Sequence, residues 1–147
     1  MSEMLANQYF LARRFEKAQP IFEELLEKEP HNLRAKKKLI ICYTQTGELE
    51  RAENLFLEVL RDNPYVIIDT DPNSEDCPCA ELVEHIERDL ETTPPSAAFF
   101  NRIGILYLCC DLDASLNYFR RSLSFRHDQP RIREIVDILT KLQEVNV

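Results

Sequence analysis

The chain has 147 residues, 44% of them hydrophobic and 30% charged, with a formal net charge of −8. A chain of this length buries about two-thirds of its extended surface and holds one domain without a disulfide or metal staple. Only two glycines occur, Gly47 and Gly104, where average usage gives roughly ten; this excludes the Gly-rich cradles that bind nucleotide phosphates and argues against Gly-turned hairpins.

The first eight residues, Met1-Ser2-Glu3-Met4-Leu5-Ala6-Asn7-Gln8, hold neither a basic n-region nor an apolar h-region. Helical patterning starts almost at once. Leu5 and Tyr9 form one apolar stripe, and Ile21, Phe22, Leu25 and Leu26 form a second, with a turn at Arg13-Arg14 between them and a stop at Pro30. A second pair of stripes follows: Leu39, Ile40 and Tyr43, then Leu55, Phe56, Val59 and Leu60, with the turn at Gly47 and the stop at Pro64. Ala18 and Ala52 are small where the two helices of each pair approach, since a bulkier side chain there costs roughly 1–3 kcal/mol of strain.

After Pro64 the pattern fails. Residues 65–95 hold nine acids and one base, Arg88, which leaves seventeen of each in the rest of the chain. Tyr65 to Pro78 contains Pro72, Pro78 and four acids, with no helical stripe from Asp69 onward, and an irregular loop is expected over 66–78. Helix resumes with Ala80, Leu82, Val83, Ile86 and Leu90 and stops at Thr92-Thr93-Pro94-Pro95. Ser96 opens the next helix, striped by Phe99, Ile103 and Tyr107. Gly104 inside it costs about 1 kcal/mol against Ala and therefore marks a close helix contact. A turn at Cys110-Asp111, one residue short, puts Ser115, Phe119 and Ser122 in a small–aromatic–small pattern. Asp128-Gln129-Pro130 begins a last helix, with Ile132, Ile135, Val136, Leu139 and Leu142 on one face and Arg133, Asp137, Lys141 and Glu144 opposite.

A shift of 34 residues lays Leu5 on Leu39, Tyr9 on Tyr43, Ala18 on Ala52, Phe22 on Phe56 and Pro30 on Pro64. The spacing L-x3-Y, then A-x3-F, then a Pro eight residues after the Phe resembles the tetratricopeptide repeat family. Ile103-Gly104-x2-Tyr107 reproduces the family's Leu-Gly-x2-Tyr, while the family's Trp is absent and Ala6 and Ile40 stand where its Gly would be. The resemblance implies an all-α superhelix of stacked helix-turn-helix repeats: 3–30, 31–64, a degenerate acidic repeat 65–95, a further repeat 96–127 and a capping helix 128–144, all in one domain. Each pair buries only part of its apolar face, so copies must stack, and a polar-backed last helix ends the stack. The first helix has no such cap, so it is either exposed or packed on another copy or another chain, a homo-oligomer being one of these expectations.

The family likeness also implies a function. In similar proteins the first helices of the pairs line a concave groove that holds peptides, which by alignment places Asn7, Phe10, Leu11, Arg34, Lys37, Lys38, Ile41, Thr44, Gln45, Asn101, Arg102, Ile105 and Leu108 on the wall. Some relatives clamp a terminal carboxylate with Lys and Asn. Here Asn7 matches, but Glu3 replaces the first Lys and Lys38 replaces the second Asn, so that clamp is not expected. A groove bearing Arg34, Lys37, Lys38 and Arg102 favours an acidic ligand by steering. The acidic loop 69–76 is a candidate to fold toward it. The expected function is a non-catalytic scaffold or adaptor that binds a protein segment; a secretion chaperone is the alternative within that class.

Other chemistries find little support. No Gly-x-Ser-x-Gly elbow and no His-Glu-x-x-His occurs. Cys77-Pro78-Cys79 is half a metal site, but Cys42, Cys109, Cys110 and the three His supply no second half. A redox- or metal-responsive regulator through Cys77 and Cys79 is the alternative from another class, although surrounding acids disfavour the thiolate. No cofactor is implied. The acidic balance disfavours nucleic acid, which needs a clustered basic footprint. The longest apolar run, Ile103 to Cys110, is eight residues, far short of the roughly 18 of a membrane span. Five cysteines without framework spacing point to a reducing cytoplasm.

Overall fold

The computed structural model describes residues 3–66, 79–89, 91, 92, 94–107 and 111–145. Among them lie eight α-helices and no strand: α1 (Glu3–Leu11), α2 (Phe15–Lys28), α3 (Leu33–Gln45), α4 (Leu49–Asp62), α5 (Cys79–Asp89), α6 (Ala97–Leu106), α7 (Leu112–Phe125) and α8 (Pro130–Val145), with a 3-10 turn at Pro64–Val66. The chain is all-α, as the periodicity requires. It divides into two compact units, Met1–Phe56 and Leu57–Val147.

In the first unit α2 packs against both α1 and α3. Phe10 of α1 and Phe22 of α2 are fully buried with rings edge-on at 6.2 Å, and Phe15 meets Phe10 in the same way at 5.6 Å. Burying an aromatic of this size contributes about 1.5–3 kcal/mol, with more from the edge-to-face arrangement. Ala18 and Ala52 have no exposed surface.

The hairpin turn is written twice. Arg14 N–H donates to Tyr9 O at 2.8 Å, and 34 residues on, Glu48 N–H donates to Tyr43 O at 3.0 Å. The residue before each donor sits in the left-handed region, Arg13 at φ 61° and Gly47 at φ 81°. This is the six-to-one bond of a Schellman turn, which satisfies a carbonyl the helix end would orphan. Only Gly47 adopts that backbone without a Cβ penalty.

Helix starts follow capping chemistry. Asn32 Oδ1 accepts from Ala35 N–H, Ser96 Oγ from Phe99 N–H and Asp111 Oδ1 from Ala114 N–H, each at 3.0–3.1 Å. α2 and α4 stop just before Pro30 and Pro64. Pro20 lies inside α2, where it withholds one N–H from the helix ladder, yet α2 runs on to Lys28.

The second unit is built around α6 and α7, with α5 against α6 and α8 against α7. Gly104 is where α6 and α7 touch: a Cβ there would stand 2.9 Å from Phe119 Cε2. Ser115 donates to Gly104 O at 2.6 Å across the same contact, and Ser122 donates to Ala97 O at 3.2 Å. The small–aromatic–small pattern of α7 is thus explained by how closely α6 lies upon it.

α8 buries Ile132, Ile135, Leu139 and Leu142 as its sequence requires, whereas Val136 is only partly covered. A second stripe, Ile138, Lys141 and Val145, faces Leu60, Arg61, Pro64 and Tyr65 across an apolar cavity of about 380 Å³. Arg61 closes one side by a bidentate pair with Glu134, at 2.5 and 2.6 Å. The last helix therefore has a second, partly exposed apolar face, where the sequence pattern shows one. The acidic loop expected over 66–78 falls, after Val66, outside the described residues.

Candidate functional site

α1 and α3 carry the groove residues of the first unit. Local sequence explains their placement: Asn32 caps α3 and sets its phase, so positions 34, 37, 38, 41, 44 and 45 recur on one side at helical spacing. Burial then divides them. Phe10, Ile41 and Thr44 are buried, with Thr44 Oγ1 donating to Ile41 O at 2.6 Å. Leu11 and Arg34 are exposed, and Asn7, Lys37 and Gln45 are part-exposed. Gln45 Nε2 donates to Thr44 Oγ1 at 3.1 Å. Arg34 and Lys37 take part in further polar contacts of their own.

Lys38 is the informative residue. It is 3% exposed, its Nζ donates to Asn7 Oδ1 at 2.8 Å, and its ammonium lies 5.9 Å from the centre of the Phe10 ring. A lysine can only donate, so the Asn7 oxygen is held toward it and the amide NH2 is turned the other way. That NH2 has no acceptor among the described residues and is not buried. A basic side chain read from sequence as part of the groove's charge is thus an internal strut that orients its neighbour. Glu3, which stands where the carboxylate clamp would need Lys, accepts from Asn32 Nδ2 at 3.3 Å.

Below this face Tyr43 donates to Glu23 Oε2 at 2.8 Å, and Thr46 to Gln19 Oε1 at 2.6 Å, fastening α3 to α2. Burial, then the Glu23 carboxylate, push the Tyr43 phenol up to about 12. Burial likewise pushes the Cys42 thiol up to about 12. A thiol so placed is neutral and no nucleophile.

The second unit holds Asn101, Arg102 and Ile105. Asn101 and Ile105 are buried, and Asn101 Nδ2 donates to Gln129 Oε1 at 2.9 Å. Arg102 is half-buried; desolvation lowers its pKa, and the charge of Asp89 acts in the opposite direction. Leu108, Cys77 and loop 69–76 lie outside the described residues, as does the side chain of Cys79. The described residues contain no group of three His, Cys, Asp or Glu side chains able to hold a metal ion. None of their helices is long and apolar enough to cross a membrane.

Two features here were not found from sequence. Gln129 is buried and donates from one amide to Ser122 O, Ser122 Oγ and Arg126 O at 2.9–3.3 Å, tying α6, α7 and the start of α8 together. Tyr107 and Tyr118 are stacked 5.6 Å apart and both donate to Glu87 Oε1, at 3.2 and 3.0 Å. Nothing local marks Gln129. The run of five Arg against one Asp across residues 120–133 was a legible signal beside the second feature.

Set against known proteins, residues 9–65 match the tetratricopeptide repeat family. No curated protein and no solved structure matches the chain.

Proposed function

We propose that the tetratricopeptide repeat segment, residues 9–65, is a non-catalytic protein-binding module whose contact face is the α1–α3 side of the first unit. A tetratricopeptide repeat supports protein–protein interaction in general. The finer reading is that Asn7, Leu11, Arg34, Lys37 and Gln45 hold a segment of another protein. The observation that carries it is the Lys38–Asn7 hydrogen bond, which leaves an oriented, part-exposed amide NH2 with no acceptor among the described residues. Such a donor pair suits the backbone carbonyl of an extended ligand. Leu11, half exposed beside it, offers an apolar contact. Phe10, Ile41 and Thr44 support this face from beneath. Arg102, Asn101 and Ile105 belong to the other unit and are left out of the contact.

Affinity capture with Asn7→Ala and Lys37→Glu baits tests this reading. Lys37→Glu keeps wild-type helical content and loses the partner that the wild type retains; Asn7→Ala, which also takes the acceptor from the buried Lys38 and is therefore compared at equal folded fraction, weakens it about fivefold to tenfold, the value of one good hydrogen bond to a ligand. Unchanged capture by both baits overturns it. Lys38→Glu is no test, because a carboxylate in that buried place would face Asn7 Oδ1 and disrupt the hairpin itself.

A further inference from the structure

The exposed end of α7 carries an arrangement that the first unit lacks. Arg121 lies over two rings at once, its guanidinium carbon 5.7 Å from the centre of Phe100 and 5.4 Å from that of Tyr118. Phe100 is in turn 5.3 Å from Phe125, which is 56% exposed although it is a large apolar side chain. Tyr118, Arg121 and Phe125 recur at three- and four-residue spacing, so they share one side of α7. Arg121 forms no ion pair with a carboxylate among the described residues. Glu87, at the far side of the ring cluster, is engaged by the phenols of Tyr107 and Tyr118.

Electrostatics set this end apart. Residues 120–133 hold five Arg and one Asp in a chain whose net charge is −8. A guanidinium held over aromatic rings gains about 0.5–1 kcal/mol at an exposed site. Its N–H donors form the planar fork that matches a carboxylate. An exposed Phe beside such an Arg supplies the apolar anchor that interface hot spots share.

We propose that this patch, Arg121 with Phe100, Tyr118 and Phe125, is a second interaction surface that takes an acidic peptide segment: a carboxylate on Arg121 and an apolar side chain on Phe125. Charge complementarity selects the occupant. A peptide with a few acids meets the local excess of Arg, whereas a nucleic acid, with one negative charge per phosphate, is opposed by the acidity of the whole chain. The surface is independent of the α1–α3 face, so Asn7→Ala leaves its affinity unchanged.

The test is fluorescence anisotropy with a labelled peptide of Glu and Leu residues, its Gln-for-Glu counterpart, and a labelled single-stranded oligonucleotide, all at about 50 mM salt, where screening is weak. The Glu peptide binds the intact chain and the Gln peptide binds at least about tenfold more weakly. Arg121→Glu lowers affinity for the Glu peptide by at least about tenfold, and Phe125→Ala by about threefold to tenfold. Arg14→Glu, an equal charge change on an exposed residue of the first unit, lowers it less than about twofold. Circular dichroism checks each variant; should Arg121→Glu lose helix, Arg121→Gln carries the measurement. The proposal is overturned by equal binding of the two peptides, by equal loss in Arg14→Glu, or by tighter binding of the oligonucleotide. Self-association by sedimentation that Arg121→Glu abolishes also overturns it, since the chain's own acids would then be the occupant.

Discussion

Position 13 and position 47 do the same work with different residues. Both sit left-handed at the end of a first helix, and both precede the N–H that closes the turn. Gly47 does so freely, with open space where a Cβ would be, while Arg13 carries a Cβ there at a cost. Arg13→Gly should therefore stabilise the protein, by up to about 1 kcal/mol, and Gly47→Ala should destabilise it by a similar amount; urea unfolding midpoints check both. Gly104 obeys a different rule. Its substitution by Ala gains about 1 kcal/mol of helix propensity, but the new Cβ meets a buried ring at 2.9 Å, which costs about 1–3 kcal/mol. The clash wins, and Gly104→Ala lowers stability by roughly 1 kcal/mol, read from the same unfolding curves. The sequence announced Gly104, since a glycine in a helix needs a reason; it could not announce Lys38, whose type and spacing fit a groove cation and whose burial depends on Asn7 in another helix.

At the scale of elements, α8 closes its unit with one buried apolar face. Ile132, Ile135, Leu139 and Leu142 are each 3% exposed or less, and full burial of such side chains contributes about 1.5–3 kcal/mol apiece. Together these are comparable to the whole stability of a typical domain, about 5–15 kcal/mol. Leu139→Ala should cost about 2–5 kcal/mol through the cavity it leaves, measured by urea denaturation with α7–α8 amide exchange as a local probe. Glu134→Gln, by contrast, removes one partner of an exposed ion pair and should cost less than about 1 kcal/mol. The helix itself was legible from Pro130 onward, because its start signal and its period lie within the segment. Its second face was not: Ile138 and Val145 acquire a role only because the stretch after Leu60 turns toward them.

For the molecule as a whole, titration reports on both units together. Cys42 and Tyr43 in the first unit and Tyr107 in the second are all pushed up to about 12, chiefly by burial, and Tyr118 is raised for the same cause. Each holds its proton to higher pH when folded than when unfolded, so the stability linked to it is complete below the unfolded values, near 9 for the thiol and 10 for the phenols, and is lost as pH climbs toward 12. Urea midpoints should be level from neutral pH to about 9 and fall steeply above 10, with phenolate absorbance rising in step with unfolding. Tyr43→Phe should blunt the fall. What the sequence determined alone was the 34-residue rhythm, which is a likeness of the chain to itself, and the two turns, the Ser96 helix start and the proline stops, which each depend on residues within about one helical turn of each other. Tertiary structure decided the rest: that Lys38 serves Asn7 31 residues away, that Gln129 joins Asn101 28 residues away, and that Arg121 lies on a ring of α6. Such pairs share no local pattern, and only the packing of one helix against another brings them within reach.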